Sequence, residues 1–307
     1  MNVVTKIELE YTNCNLCGGT NTKLIYRKPD TRYWLSPLEF NLVQCKNCGL
    51  AYVNPRPTFE SINNFYPDWF YIHRDILHEK ERYLKEIRLI EKFKNRGKIL
   101  DIGCGGGGLI KLLKDKGWEV YGMDLYGKSG NNYDLDIRYG DLEKLSYPSN
   151  FFDVVTAWAV FEHLHNPMRY FLEVKRILKK DGIFICLVNN INSIWSRYGY
   201  GEDLPRHLYI FSERTLRAYA NKVGLRLISI DYSNRIFKAS SKNVFRIRFL
   251  KNRGLGWREI YSAINHLPFR YKYPTYFLTI LGRIFIPQIL ESMLRISGII
   301  IGIFAES

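Results

Sequence analysis

From Lys98 onward, the apolar residues follow two alternating patterns along the chain. Short runs of consecutive apolar residues, which suit buried strands, are separated by stretches with an apolar residue at every third or fourth position, as on one face of a helix. The predicted strands are Lys98–Ile102, Trp118–Asp124, Phe152–Ala157, Gly182–Val188 and Leu225–Asp231. This alternation predicts a parallel sheet that is covered by helices on both faces and binds ligands at the carboxyl ends of its strands.

Helical periodicity is clearest in three segments. Glu79–Lys94 carries five large apolar side chains on one face, and it leads into the first strand. Asn166–Lys179 and Ser212–Val223 have the same periodicity. Ser212 is a suitable N-cap, and Gly224 is a suitable residue to end the last helix.

The stretch ILDIGCGGGG, residues 99–108, holds five glycines and one carboxylate. Glycine weakens helices and strands by roughly 0.5–1 kcal/mol relative to alanine, so this cluster indicates a turn or a close approach to a ligand. It follows a strand and precedes a helix, where Gly103 and Gly105 would form the turn and the helix N-terminus would face an anionic group. Asp124 ends the next strand and could accept hydrogen bonds from a ribose diol. A nucleoside site is predicted, and dinucleotide cofactors remain an alternative.

Length and composition are those of an ordinary folded protein. The 307 residues suffice for one large or two small domains, and 46% of them are hydrophobic and 24% charged. The N-terminus lacks the pattern of an export signal, and the longest uncharged apolar run, Ile296–Ala305, is about half of the ~20 residues that a membrane-spanning helix requires. We therefore expect a cytoplasmic protein, in which disulfides are disfavoured.

Four of the six cysteines form two matched pairs. Each pair is a Cys-x-x-Cys-Gly turn, and 27 residues separate the two turns. Such turns supply the four tetrahedral ligands that structural Zn²⁺ prefers, and a redox dithiol or a chance pattern is the alternative. The predicted ligands of a zinc-ribbon-like module are Cys14, Cys17, Cys45 and Cys48. Cys104 and Cys186 lie in apolar surroundings typical of small core residues.

Four stretches, ILDIGCGGGG, VYGMDL, GDLEKLSYPSNFFDVVTAWAVFEHLHNP and ILKKDGIFIC, resemble the class I S-adenosylmethionine-dependent methyltransferases and cover roughly residues 98–190. The resemblance implies an α/β fold with a doubly wound, mostly parallel, seven-stranded Rossmann-like sheet. The last strand would be antiparallel, and Gly298–Ala305 matches it. By the same resemblance Asp101 orients the methionine amino group of the cofactor and Asp124 holds its ribose. The other implied contacts come from Gly103, Cys104, Gly105, Gly107, Leu125, Asp141, Leu142 and Ala157.

The segment CKNCGLAYVNPRPTFESINNFY, residues 45–66, resembles the zinc-binding module that precedes methyltransferases of sugars and cell-surface glycans. In the C-methyltransferases of nucleotide-sugar biosynthesis, a histidine before an aromatic stretch is the candidate base. LPRHLYIFSERTL has His207 and Tyr209 in the matching place, but Leu204 and Arg206 stand where that group has tyrosine and glutamate. A neutral imidazole suits a general base near neutral pH. His207 is the first candidate and His163 the second.

The net charge of +15 is concentrated in one late segment, because residues 235–295 alone carry 12 basic and 2 acidic side chains. Interspersed aromatic residues and an amphipathic stretch are typical of a membrane-surface element, but a helical cap over the cleft or a subunit interface is slightly favoured, and a solvated surface is a further alternative. An RNA methyltransferase or a zinc-ribbon nucleic-acid-binding protein is a second function class, and a scaffold without catalysis is a third.

The resulting prediction has three parts: a zinc-ribbon-like module over 1–57, a helical linker over 58–98, and a methyltransferase domain over 99–307 with 235–295 as an insertion. The expected function is methyl transfer from S-adenosylmethionine to a sugar, a nucleotide sugar or a lipid-linked glycan. The sequence defines neither the oligomeric state nor whether oxygen, nitrogen or carbon is methylated.

Overall fold

The computed structural model describes residues 7–67, 70, 76–126, 133, 135–193, 196, 203–233, 236, 249–250, 252–253, 294–295 and 297–307. These residues form a small N-terminal module and a larger α/β domain. The predicted basic insertion over 235–295 lies almost entirely outside the described residues. Its expected role at a membrane, over the cleft or between subunits therefore stays a prediction.

The N-terminal module is built on antiparallel strands. They are β1 (Leu9–Glu10), β2 (Thr22–Pro29), β3 (Glu39–Cys45), β4 (Ala51–Val53) and β5 (Arg56–Pro57). Strands β2, β3 and β4 pair in chain order, and β1 pairs with β5. The glycine after each cysteine pair, Gly18 and Gly49, has a φ of +73° and +86°, a conformation that other residues rarely adopt. This explains why both Cys-x-x-Cys turns end in glycine.

The fourth strand of the module's main sheet comes from the α/β domain. Strand β11, Tyr209–Ile210, pairs antiparallel with β4, so that Tyr209 lies opposite Tyr52. The Val53 amide also donates a hydrogen bond of 2.9 Å to the Leu208 carbonyl. The module is therefore joined to the α/β domain through backbone hydrogen bonds.

The α/β domain contains a seven-stranded sheet with the order β8-β7-β6-β9-β10-β13-β12. Neighbouring strands from β8 to β10 are parallel, and β13 is antiparallel to both of its neighbours. The predicted doubly wound sheet with an antiparallel last strand is confirmed. Its elements are α1 (Ile76–Ile90), β6 (Lys98–Ile102), α2 (Gly108–Asp115), β7 (Glu119–Asp124), β8 (Ile137–Tyr139), β9 (Phe152–Trp158), α3 (Pro167–Ile177), β10 (Leu178–Asn189), α4 (Glu213–Lys222), β12 (Leu225–Asp231) and β13 (Ile299–Glu306).

Local sequence explains where several elements begin and end. Ser212 caps α4 by accepting a hydrogen bond from the Thr215 amide, and the Thr215 hydroxyl bonds back to the Ser212 amide. The predicted helix over 79–94 ends at Ile90, because the following residues form a turn. Strand β10 begins at Leu178, four residues before the predicted start, because α3 already ends at Ile177. Among the described residues no helix has the length and apolar character needed to cross a bilayer.

One hydrophobic core joins the module to one face of the large sheet. Phe40 and Tyr52 of the module belong to the same buried cluster as Phe171 and Phe304 of the α/β domain. On the opposite face, Ile90 of α1 packs into a second cluster with residues of β6 and α2. The segment predicted as a linker over 58–98 therefore ends in a helix that is part of the α/β domain.

Phe171→Ala should destabilise the protein by about 3–5 kcal/mol, because its loss would leave a cavity in the shared core. The ring is fully buried, stacks on Tyr219 at 5.1 Å and meets Phe161 edge-on at 4.9 Å. The neighbouring Leu172 is 52% exposed, and Leu172→Ala should stay within about 0.5 kcal/mol of the original protein. Urea unfolding measures both variants, and equal midpoints would contradict the packing described.

Candidate active site

The turn between β6 and α2 is shaped by three glycines with positive φ. Gly103, Gly105 and Gly107 have φ values of +73°, +53° and +85°. A Cβ on Gly103 would lie 2.5 Å from Cγ2 of Val160, so a side chain there would force its neighbour to move. Gly107 is the N-cap of α2 and contributes no side chain over the helix N-terminus. The predicted tight turn is present, and it is followed by the positive end of a helix.

Asp124 is fixed beside this turn by two backbone amides. Its Oδ2 accepts a hydrogen bond of 3.1 Å from Gly105, and its Oδ1 accepts one of 3.2 Å from Tyr126. A carboxylate can accept about four hydrogen bonds, so these two leave capacity for a ligand diol. The carboxylate also lines the cleft described below. This geometry fits the ribose role that the sequence predicts for Asp124.

Asp101 lies beneath the turn and is almost fully buried. Its Oδ1 accepts a hydrogen bond of 2.7 Å from the Thr156 hydroxyl. Burial raises the pKa of Asp101 to about 7, although the Thr156 hydroxyl and the Arg82 guanidinium act in the opposite direction. A ligand ammonium group beside Asp101 would lower this pKa and favour the carboxylate.

A cleft of about 290 Å³ opens next to the glycine turn. The α/β domain contributes Gly103, Asp124 and His163 to its wall, together with several apolar side chains. A second part of the wall comes from the segment that follows the module, namely Ile62, Tyr66 and Phe70. The Tyr66 and Phe70 rings meet edge-on at 4.8 Å. The cleft therefore depends on both parts of the chain.

Two histidines meet at the edge of this cleft. The rings of His163 and His207 are 4.7 Å apart between centroids and nearly perpendicular. Nδ1 of His163 lies 3.0 Å from the Arg206 carbonyl oxygen and 3.1 Å from the Tyr66 hydroxyl. Nδ1 of His207 receives the Asp203 amide at 3.3 Å and lies 2.6 Å from Nδ2 of Asn189. Glu162 joins this group, since one of its oxygens and one nitrogen of each histidine all lie within 4.8 Å of one another.

The two histidines differ in their access to the cleft. His163 is among the residues that line it, whereas His207 lies behind His163 and is not part of the lining. Burial lowers the pKa of His163 to about 3. His163 is therefore neutral near neutral pH.

Tyr209 does not lie in the cleft, contrary to its prediction as a catalytic residue. Its side chain is buried, and its hydroxyl receives a hydrogen bond of 2.9 Å from Arg56 and donates one of 3.2 Å to the His165 carbonyl. These contacts belong to the junction of the module and the α/β domain. The pairing of β11 with β4 directs Tyr209 there.

Several residues that were predicted to contact the cofactor lie behind the side chains that line the cleft. Ala157 and Leu142 are fully buried, and the wall beside β9 is formed by Ala159 and Val160 instead. The thiol of Cys104 packs so closely over Gly122 that a Cβ there would lie 2.7 Å from its sulfur. Asp141 reaches the cleft only through a hydrogen bond with the hydroxyl of Tyr170, which lines it. The predicted contacts Gly103, Gly105, Asp124 and Leu125 do line the cleft.

Sequence reasoning missed the aromatic wall and one cation. Tyr66 and Phe70 follow the cysteine module in sequence, and no spacing rule connects them with a glycine turn more than thirty residues later. Arg82 of α1 acts electrostatically on Asp101 and forms ion pairs with Glu79 and Glu86. The apolar face of α1 could be predicted from the sequence, but the proximity of Arg82 to Asp101 could not.

The four paired cysteines converge at one end of the module. Their sulfur atoms all lie within 4.8 Å of one another, with Cys14 and Cys48 at 3.4 Å and Cys17 and Cys45 at 3.5 Å. Tetrahedral zinc with bonds of about 2.3 Å to each sulfur requires sulfur separations of about 3.8 Å. Although burial acts in the opposite direction, hydrogen bonds from the backbone amides of Cys48 and Asn47 lower the pKa of Cys45 to about 7, which favours a thiolate there. The donor set therefore fits a tetrahedral metal ion.

The methyltransferase domain family matches residues 72–230, which is just over half of the 307 residues and includes α1, the glycine turn and both histidines. The chain belongs to this family. The expectation of a methyltransferase is thereby confirmed.

Among curated relatives, the ubiquinone biosynthesis O-methyltransferase of Ruegeria sp. is 34% identical over 106 residues, which are 31% of this chain and 42% of the relative. The protein of the same name from Cereibacter sphaeroides is 30% identical over 149 residues, which are 45% of this chain and 59% of the relative. The chain thus spans about half the length of these relatives.

Among solved structures, phosphoethanolamine N-methyltransferase 2 of Haemonchus contortus, in complex with S-adenosyl-L-methionine, is similar with a TM-score of 0.50 and 15% identity. The match covers 93% of this chain and 68% of that chain. At this identity the likeness concerns the fold alone.

Gly103→Ala should weaken binding of S-adenosylhomocysteine roughly tenfold or more, because the new methyl group would displace Val160 at the cleft and strain the turn. Gly117→Ala is the matched control, since Gly117 has a φ of +87° but no atom within 4 Å of an added Cβ. Titration calorimetry measures both. Equal loss of binding in the two variants would show that general backbone strain, and not the shape of the turn, is responsible.

Proposed function

We propose that the protein transfers the methyl group of S-adenosylmethionine to a hydroxyl oxygen of an acceptor bound beside His163. The observation that carries this proposal is the contact between Nδ1 of His163 and the Arg206 carbonyl at 3.0 Å. A carbonyl oxygen only accepts hydrogen bonds, so Nδ1 carries the hydrogen of the neutral ring. The lone pair is then on Nε2, where it can accept a proton.

His207 has the opposite tautomer in this proposal. A backbone amide only donates, and the Asp203 amide points at Nδ1 of His207. The lone pair of the neutral His207 ring is therefore on Nδ1, where it accepts this hydrogen bond, and the ring hydrogen is on Nε2. This arrangement suits His207 as a donor that orients its neighbours, and it leaves His163 as the candidate base.

The cofactor, when bound, supplies a methyl group on a positively charged sulfur. Asp124 and the glycine turn would hold its nucleoside part, and Asp101 would face its amino group. Positioning of this kind can contribute about 7–11 kcal/mol to lowering the barrier. As the oxygen–methyl bond forms and the sulfur–methyl bond breaks, the acceptor hydroxyl becomes strongly acidic. Even a weakly basic imidazole such as His163 can then take its proton, and a general base of this type contributes about 10²–10⁴-fold.

The lining of the cleft supports a ring-shaped acceptor. Tyr66 and Phe70 present aromatic surfaces near His163, and Asp124 is the one residue with a full charge among the described residues of the wall. Aromatic side chains bind the apolar faces of sugars and of phenols. The sugar or glycan acceptor predicted from the sequence fits this surface, and so does a phenol, whereas the names of the curated relatives favour an acceptor from ubiquinone biosynthesis.

Transfer of a labelled methyl group to fractionated cell extract tests this function. Label should appear as a methyl ether, which hydriodic acid cleaves, whereas a carbon-bound methyl group resists that treatment. Label in sugar-containing or in phenolic fractions identifies the acceptor class. Label confined to carbon or to RNA would contradict the proposal, and RNA would favour the second function class.

His163→Ala should lower kcat by about 10²-fold or more while S-adenosylhomocysteine still binds, because the base is lost but the nucleoside site is intact. His207→Ala should lower kcat less than His163→Ala does, since the lone pair of the His207 ring does not face the acceptor in this proposal. With a saturating cofactor, kcat should be constant from pH 8 down to about pH 5, because His163 stays neutral beside Tyr66, Glu162, His207, Asp203 and Arg206. A larger loss in His207→Ala would assign the base to His207.

We further infer that the cysteine cluster binds one structural Zn²⁺. A module of this size has little core of its own, and metal binding supplies about 10–16 kcal/mol toward folding in comparable units. Because Tyr66 and Phe70 follow this module, the ion would stabilise one wall of the cleft indirectly.

Cys45→Ser should therefore lose the metal and lower methyl transfer, because one of four ligands is replaced and the module is no longer held together. Cys186→Ser is the control, since Cys186 is a buried cysteine of β10 outside the cluster. Elemental analysis of the purified protein should give one zinc per chain for the original protein and the control. A full zinc complement in Cys45→Ser would contradict the assignment.

A further inference from the structure

Arg206 is a fully buried arginine at the junction of the module and the α/β domain. Its guanidinium donates hydrogen bonds of 2.7 and 3.1 Å to the two carboxylate oxygens of Asp30, which belongs to the module. It also donates to Asp203 at 3.0 Å through Nε and to the Phe65 carbonyl at 2.6 Å. Two carboxylates thus surround one guanidinium, in a bidentate geometry that lysine does not reproduce.

The backbone around Arg206 supports both histidines. The Arg206 carbonyl accepts the hydrogen bond from Nδ1 of His163, and the Asp203 amide donates to Nδ1 of His207. The His207 amide closes the turn by donating to the Asp203 carbonyl at 2.9 Å. A shift of this turn would therefore change the hydrogen-bond partner of each ring.

The ion cluster holds this turn strongly because removal of one partner would leave a buried charge uncompensated. Asp30 and Asp203 are buried together with Arg206. Burial would raise the pKa of Asp203, but hydrogen bonds from Arg206 lower it to about 2. Asp203 thus stays ionised across the physiological range. The position of the turn depends on Asp30, a residue of the other part of the chain.

We propose that Arg206 is a positioning residue through which Asp30 of the N-terminal module fixes the complementary tautomers of His163 and His207. The Arg206 carbonyl is the partner that keeps the lone pair of His163 on Nε2, because the Tyr66 hydroxyl at 3.1 Å can either donate to Nδ1 or accept from it. The module therefore does more than complete the wall of the cleft, because it also selects the nitrogen of His163 that is basic. This inference rests on the proposed function only for the use of that nitrogen as a base.

Nuclear magnetic resonance of protein labelled with ¹⁵N-histidine tests the inference without an acceptor. The protonated and unprotonated ring nitrogens differ widely in chemical shift, so each tautomer is read directly. His163→Gln and His207→Gln assign the two rings by loss of their signals. The original protein with bound S-adenosylhomocysteine should show His163 protonated at Nδ1 and His207 protonated at Nε2.

Asp30→Asn and Arg206→Lys should replace the single His163 tautomer by averaged shifts, because both weaken the support of the Arg206 carbonyl. Arg56→Lys is the matched control. Arg56 is also a buried arginine that joins the two parts of the chain, but it donates to Tyr209 and the His165 carbonyl and not to the turn. Its variant should keep the original histidine shifts.

The outcomes separate this inference from the proposed function. Binding of S-adenosylhomocysteine first establishes that a variant is folded, and Arg206→Lys retains a cation for both carboxylates if Asp30→Asn does not fold. Unchanged histidine shifts in either folded variant would overturn the positioning role and leave His163 as the candidate base. His163 protonated at Nε2 in the original protein would overturn both.

Discussion

The hydrogen bonds between β4 and the segment around β11 are the interaction on which the cleft depends. Leu208 accepts from Val53 of the module, and its own amide donates to the Glu162 carbonyl at 2.7 Å. One residue thus connects the module with the segment that carries His163. This connection fixes the position of the aromatic wall relative to His163.

Much of the fold could be predicted from the sequence because its signals are local. The strand pattern around Lys98–Ile102, the capping of α4 at Ser212 and the glycine turn each depend on a few neighbouring residues. The glycine-lined end of the cleft could be predicted for the same reason, since Gly103 and Asp124 lie at the ends of adjacent parallel strands. These positions follow from the strand order alone.

The aromatic end of the cleft could not be predicted because it is made by contacts between distant segments. Tyr66 contacts His163, which is 97 residues away in the sequence, and Arg206 contacts Asp30, which is 176 residues away. Sequence comparison drew attention to Arg206 as a departure from a glutamate, but only its burial against Asp30 and Asp203 gives that departure a physical meaning. Tyr209 was misplaced for a related reason. The sequence of a two-residue strand such as β11 does not indicate which strand it pairs with.

A charge argument connects the low basicity of His163 with the proposed chemistry. The cofactor brings one positive charge into the cleft, and a protonated His163 would repel it at short range. Burial keeps the ring neutral at that stage. In the proposed reaction, the positive charge would pass from the sulfur to the acceptor oxygen with the methyl group, and then to His163 with the proton of the hydroxyl. In this proposal, the environment that makes His163 a weak base before the reaction favours cofactor binding. The free energy needed to protonate the ring then falls once the positive charge has left the sulfur.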